Sequence, residues 1–165
     1  MSAEAPEMKK NTESPDLTLI FETAEFADAF RISYLANAIV VPTYDDIKRD
    51  FGVIRAEYLL LLCLSHYPEL TAQDVSVLTR RPRNSISRAV HRMLKEGYLR
   101  RVPDPNDGRQ AHLSITPQGK AMHQKIAAYL VAREAEILGV LGKSEHKAFR
   151  KTLQKLALHA SKLQR

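Results

Sequence analysis

Arg80-Arg81-Pro82-Arg83-Asn84-Ser85-Ile86-Ser87-Arg88-Ala89-Val90-His91-Arg92-Met93-Leu94, in the middle of the stretch Leu70 to Leu113, decides how the chain is read. On a helix over residues 84 to 96, Ile86, Ala89, Val90, Met93 and Leu94 fall on one stripe at the i, i+3, i+4, i+7, i+8 spacing, so that face must be buried. The opposite face carries Asn84, Arg88, His91, Arg92 and Lys95, flanked by Ser85 and Ser87, with Arg80, Arg81 and Arg83 just upstream. Surface helices usually mix signs to gain i,i+4 pairs, yet Glu96 is the only acid between Thr79 and Arg101. A face so one-sidedly cationic suits a helix that lies in a groove of DNA.

The flanks agree. In Leu70-Thr71-Ala72-Gln73-Asp74, Thr71 is an N-cap with Asp74 three residues on to reach back, opening a short helix to about Leu78 that buries Val75 and Leu78. The brief connection Thr79-Arg80-Arg81-Pro82 then delivers the chain into the basic helix, which makes the pair a helix-turn-helix. Gly97 ends the second helix, and the pattern changes period from 3.6 to 2. Tyr98 to Val102 and Gln110 to Ile115 read as short strands around the turn-forming run Pro103-Asp104-Pro105-Asn106-Asp107-Gly108-Arg109. That is a β-hairpin with an arginine at or beside its tip, the wing of a winged helix. Thr116 and Pro117 cap and start the next helix.

The chain has 165 residues and a net charge of +6. That is enough for one domain plus an oligomerisation element, and the positive balance points to a polyanionic partner. Cys63 is the only cysteine, which rules out an intrachain disulfide and fits a reduced compartment. No apolar run approaches the roughly twenty residues a membrane span requires, and Met1 to Asp16 lacks the apolar segment of an export signal. The expectation is a cytoplasmic protein with no membrane partner.

Residues 1–16 are too polar to fold and read as a disordered tail. Thr23 is expected to cap a helix whose apolar residues recur from Phe26 through Phe30, Tyr34 and Ala38 to Val41. Pro42 should stop or kink it, opening a second segment through Tyr44, Ile47 and Phe51. Val53 to Leu64 is apolar on all sides and reads as the central core helix, with Cys63 a buried small hydrophobe. After the wing, Met122, Ile126, Tyr129 and Leu130 mark a helix to about Leu138. Gly139 and Gly142 bracket a break, and Ser144 is expected to cap a last helix with the seam Phe149, Leu153, Leu156 and Leu158. Neither terminal stripe has a partner on the winged helix, so both are expected to pack on a second copy. The fold class is mainly α with a small β-hairpin wing: N-terminal dimerisation helices over 17–52, a winged helix-turn-helix domain over 53–116, and C-terminal dimerisation helices over 117–165.

From Phe26 to Leu163 the sequence resembles the MarR family of bacterial transcription regulators. The residues that carry the resemblance are Ser85-Ile86-Ser87-Arg88-Ala89-Val90 with Leu94-Lys95-Glu96-Gly97-Tyr98-Leu99, then Asp104-Pro105-Asn106-Asp107-Gly108-Arg109, then Leu113-Ser114-Ile115-Thr116-Pro117-Gln118-Gly119. The resemblance implies an obligate, roughly triangular homodimer with interleaved terminal helices, acting, usually as a repressor, on a pseudo-palindromic operator. Two positions depart from the family's pattern. Ile54 stands where a hydroxyl cap usually opens the helix around Tyr58, and Pro42 falls within a region that is commonly one continuous helix.

Arg83, Asn84, Ser85, Ser87 and Arg88 are expected to face the major groove, where arginine pairs with guanine and asparagine with adenine. Arg80, Arg81, His91 and Arg92 are expected on phosphates. Arg109 suits a narrow minor groove, with Asp107 orienting it. A cleft between the first helix, the central helix and the helix after the wing is the expected effector site, with Tyr34 and Tyr58 as apolar bodies with hydroxyl tips and Arg31 as a nearby cation. An aromatic carboxylate, an acyl-coenzyme A and no effector at all fit equally well. No cofactor is called for, and an enzyme reading finds little, since Gly-rich phosphate loops are absent, no Ser/His/Asp arrangement stands out and Cys63 sits in an apolar run. A metal-responsive variant rests on His112, His123, Glu134 and Glu136, none of them paired at short histidine spacing. A non-specific architectural DNA-binding protein is the remaining alternative.

Overall fold

Ile86, Ala89, Val90 and Met93 are all buried, as their spacing requires, and what they are buried against builds the domain. The computed structural model describes residues 16–103 and 111–163. In chain order the elements are α1 (Leu17–Thr23), α2 (Ala27–Phe51), α3 (Arg55–His66), α4 (Ala72–Thr79), α5 (Arg83–Lys95), β1 (Leu99–Pro103), β2 (Ala111–Ile115), α6 (Pro117–Leu138) and α7 (Lys143–Lys162). The chain is mainly α with one antiparallel hairpin, the expected class. It divides into two units at residues 40 and 41, so that α2 begins in the first and ends in the second.

In the second unit, Leu60, Leu61 and Leu64 of α3 meet Val75 of α4, the α5 stripe, and Leu99 and Leu113 of the hairpin. Leu113 is held from both sides. It opposes Arg101 across the hairpin, and it exchanges two backbone hydrogen bonds with Leu70, at 2.8 and 3.2 Å. A second core joins Ile47, Val53, Tyr58 and Ile126, with Met122 touching both cores. The front of α6 therefore buries its stripe within the chain, a correction to the expectation that it waits for a partner. No residue of α7 is buried.

The junction after α5 explains a motif. Gly97 has a φ of 75°, Tyr98 N–H donates to Met93 O at 3.0 Å and Gly97 N–H to Leu94 O at 3.2 Å, which is a Schellman end. Thr116 caps α6 by accepting from Gly119 N–H at 3.1 Å, and its hydroxyl donates to Gly97 O at 2.7 Å. Gly119 itself lies so close to the residue before β1 that an added Cβ would sit 2.2 Å from Tyr98 O. The Leu113, Thr116 and Gly119 triplet thus locks strand, cap and helix crossing together.

Four local expectations need correction. Pro42 lies inside α2, which runs unbroken to Phe51, because proline removes a single donor while Thr43 and Ile47 just beyond it are buried. Thr23 is the last residue of α1, its hydroxyl donating to Leu19 O at 2.7 Å; Asp16 is that helix's cap. Gly142 rather than Ser144 precedes α7, with the Glu145 carboxylate accepting from Gly142 N–H at 2.7 Å. Leu78 is about half exposed, because Ala72, Val75 and Thr79 take the inward line of the short α4. Ile54 opens α3 without a side-chain cap, as its chemistry dictates, and Glu57 compensates by accepting from Ile54 N–H at 2.8 Å.

Gly119→Ala should destabilise the protein by about 1–3 kcal/mol, because the obstacle is backbone and cannot rotate away. A thermal melt reads this directly, and an unchanged midpoint contradicts the close approach.

Candidate nucleic-acid interface

The helix-turn-helix is fixed at its entry and its turn. Thr71 Oγ1 accepts from Asp74 N–H at 3.1 Å while Asp74 Oδ2 accepts from Thr71 N–H at 2.8 Å, a reciprocal cap. These bonds from Thr71 hold the Asp74 carboxyl below the usual carboxylate range. Arg80, in the left-handed region at φ 55°, closes α4, and Ser76 Oγ donates to Arg81 O at 2.7 Å. The chain is thereby turned into α5 within three residues.

The start of α5 is bare. Its N-cap is Pro82, which has no side chain to cap with, and its first turn holds no acid. Helices normally place a carboxylate or hydroxyl there to meet the free N–H groups and the positive end of the dipole. This one instead presents an exposed Arg83 in its first turn.

Arg83, Asn84, Ser87, Arg88 and His91 are all exposed on the free face of α5, and Ser85 is half-buried. Arg80 is exposed and donates to Ala160 O of α7 at 2.7 Å. Arg81 is half-buried, with its Nε buried and unpartnered. Arg92 is engaged inward: Nη1 donates to both oxygens of Glu57 at 2.9 Å and Nη2 to Gly52 O at 2.9 Å. Asp107 and Arg109 lie outside the described residues. Sequence reading passed over Arg100 and Arg101, exposed on β1, and Lys120, exposed in the first turn of α6. Their signal was plain, three cations beside the wing, but no motif drew attention to them.

A second cluster gathers in the same unit around Tyr58, whose ring is buried between Tyr44 at 6.3 Å and His123, stacked at 5.8 Å. Burial, and then the neighbouring Tyr44, push the Tyr58 hydroxyl up to about 12. The Arg55 guanidinium lies 5.3 Å from the Tyr44 ring centre. Burial raises the Tyr44 hydroxyl's pKa against the opposing pull of Arg55 and Arg81. His123 is held below its ordinary value by burial first and by His66 second, and its Nδ1 is buried without a partner. The cluster thus brings together two tyrosine rings, the Arg55 guanidinium and an imidazole nitrogen without a partner.

Of the expected effector residues only Tyr58 belongs to this cluster. Arg31 and Tyr34 lie in the first unit and both converge on Phe21. Arg31 donates to Phe21 O, sits 5.8 Å from its ring and pairs with Asp28 at 2.8 Å, and Tyr34 meets that ring edge-on at 5.5 Å. Among the described residues, no group of three or more His, Cys, Asp and Glu side chains is placed to hold a metal ion. His112 and His123 are half-buried, and Glu136 pairs with Arg133 at 2.6 Å. Burial raises the pKa of the half-buried Cys63 thiol. No helix among the described residues is long and apolar enough to cross a membrane.

Helix-turn-helix, hairpin and crossing helix define a winged helix-turn-helix protein. Residues 51–110 match the model of the MarR family. The chain is 21% identical over 123 residues to the HTH-type transcriptional repressor Rv2887 of Mycobacterium tuberculosis, covering 74% of this chain and 88% of the relative. Its fold is similar to that of the transcriptional regulator SlyA, with a TM-score of 0.72 at 19% identity, over 81% of this chain and 94% of that one. It is similar also to Bordetella bronchiseptica BpsR, whose structure concerns regulation of its DNA binding by 6-hydroxynicotinic acid, with a TM-score of 0.65 at 18% identity, over 77% and 98%. The sequence match to the MarR family thus lies in residues 51–110, and the likeness to the solved regulators is one of fold.

Above pH about 6.5, the ordinary histidine value, His123 is neutral in folded and unfolded chains alike. Below it the unfolded chain binds the proton first, so stability falls with pH until the lower folded-state value is passed. Melting midpoints between pH 7.5 and 5 should drop less in His123→Phe, which keeps the stacking on Tyr58, than in the unaltered protein. Parallel curves contradict the burial of a neutral imidazole.

Proposed function

We propose that the chain is a sequence-specific DNA-binding repressor that acts as a homodimer on a pseudo-palindromic operator and is released by a small aromatic anion. The observation that carries the reading is the bare, acid-free start of α5 beneath an exposed row of Arg83, Asn84, Ser87, Arg88 and His91. Arg83, Asn84, Ser85, Ser87 and Arg88 read base edges in the major groove. Arg80, Arg81 and His91, joined by Arg101 and Lys120, hold phosphates and set register. Arg109, with Asp107 beside it, enters the minor groove.

The dimer is supported by apolar surface that the chain leaves uncovered. Phe26, Ile32 and Leu35 are exposed in the first unit, as are Leu153, Leu156 and Leu158 on α7, and a helix with an exposed apolar seam needs a partner. Two copies would set recognition helices about 34 Å apart, one turn of DNA. An anion that prefers a dimer with another spacing weakens operator binding. The cluster of Tyr44, Arg55, Tyr58 and His123 is the proposed seat, and the control of BpsR by an aromatic acid lends the ligand class.

Fragments captured by the purified protein should yield one palindrome bound far more tightly than random duplex at fixed salt. Arg88→Ala should weaken that palindrome by about 1–3 kcal/mol, or roughly 5- to 150-fold, while changing random-duplex binding little. Equal affinity for palindrome and random duplex contradicts the repressor reading and leaves an architectural binder. In sedimentation, the protein should run at twice its 18.7 kDa mass. Leu153→Glu with Leu156→Glu should shift it to the monomer; a monomeric parent contradicts the dimer.

A further inference from the structure

We infer that Arg92 is a positioning residue rather than a DNA contact, a strut that fixes the tilt of the recognition helix from the α2–α3 elbow. The inference rests on the reading of α5 as the DNA-recognition element. Arg92 is the tenth of the thirteen residues of α5, roughly 13 Å along the axis from Arg83 at 1.5 Å per residue. Bases are read from the other end of such a helix.

The Arg92 guanidinium is committed to other partners. The Glu57 side chain is only 2% exposed, and both its oxygens accept from Arg92 Nη1. One of those oxygens also accepts from Ile54 N–H at 2.8 Å, and Arg92 Nη2 takes Gly52 O. One side chain thus joins the end of α2, the first turn of α3 and the last turn of α5. Turning Arg92 out to a phosphate would strand a buried carboxylate and a carbonyl, which binding would have to make good. Glu57 also follows Arg55 and precedes Tyr58 in the same turn of α3. The near end of the strut therefore sits in the same helical turn as Tyr58.

Operator titrations over a range of salt concentrations, with Arg92→Lys, Arg92→Gln, Glu57→Gln and the double Glu57→Gln/Arg92→Gln, separate the two roles. Lysine keeps the charge but lacks the fork that reaches carboxylate and carbonyl together. A strut predicts that all four weaken operator binding, roughly 5- to 30-fold for the single changes, with the salt slope unchanged and the double no worse than the worse single. A phosphate contact predicts near-normal binding by Arg92→Lys, a salt slope lower by about one in Arg92→Gln, and no loss in Glu57→Gln; that pattern overturns the inference. Circular dichroism checks each fold, and Arg92→Lys keeps the test open should a charge-removing variant unfold. If the unaltered protein prefers no duplex, the repressor reading fails instead. Hydrogen exchange then still judges the strut, which predicts faster exchange at the end of α5 in Glu57→Gln and is overturned by identical rates.

Discussion

Glu57 brings a carboxylate into a place where it is 2% exposed, and the chain holds it there because Arg92 reaches across from α5. A buried charge without a countercharge is among the costliest things a fold can contain, and removing one partner of such a pair exposes that cost. The pair therefore dictates how the first turn of α3 crosses the end of α5. Leu60, Leu61, Ile86 and Met93 then fill the space between the two helices. Apolar packing supplies the bulk of the attraction, while the ion pair sets which residues lie opposite which.

With its inner face committed and Arg92 tied to Glu57 near its C-terminal end, α5 keeps its outer face free, and at its N-terminus the usual devices are missing. No capping side chain or acid answers the first-turn amides, and the residues around them are arginines. Together these leave the positive end of a helix dipole beside guanidiniums, the surface on which the proposed DNA contact rests. Beyond the other end of α5, Thr116 and Gly119 clamp the chain entering β1 against the start of α6.

Much of this was legible in the residues because it is periodic or local. The α5 stripe, the Thr71–Asp74 cap, Gly97 and the Thr116–Pro117 start all act within a few residues of themselves, and the structure has each of them. The pairing of Arg92 with Glu57 spans 35 residues and has no local mark: an arginine on a cationic face reads like its neighbours until its partner is known. Tyr44, Arg55 and His123 were missed for the same reason, since three elements bring them together. Pro42 misled in the other direction, because a local penalty was allowed to outweigh burial at Thr43 and Ile47. Asp107 and Arg109, the clearest motif of the wing, lie outside the described residues and stand on sequence alone.

The central claim, that the N-terminal half of α5 enters the major groove, is tested most directly by tethered cleavage. An iron chelate attached at Asn84→Cys in a Cys63→Ser background should cut operator DNA at two clusters about one helical turn apart, while the same chelate at Lys95→Cys should cut weakly or not at all. Strong cutting from Lys95→Cys with none from Asn84→Cys would mean that the helix lies the other way round, and the account would be wrong.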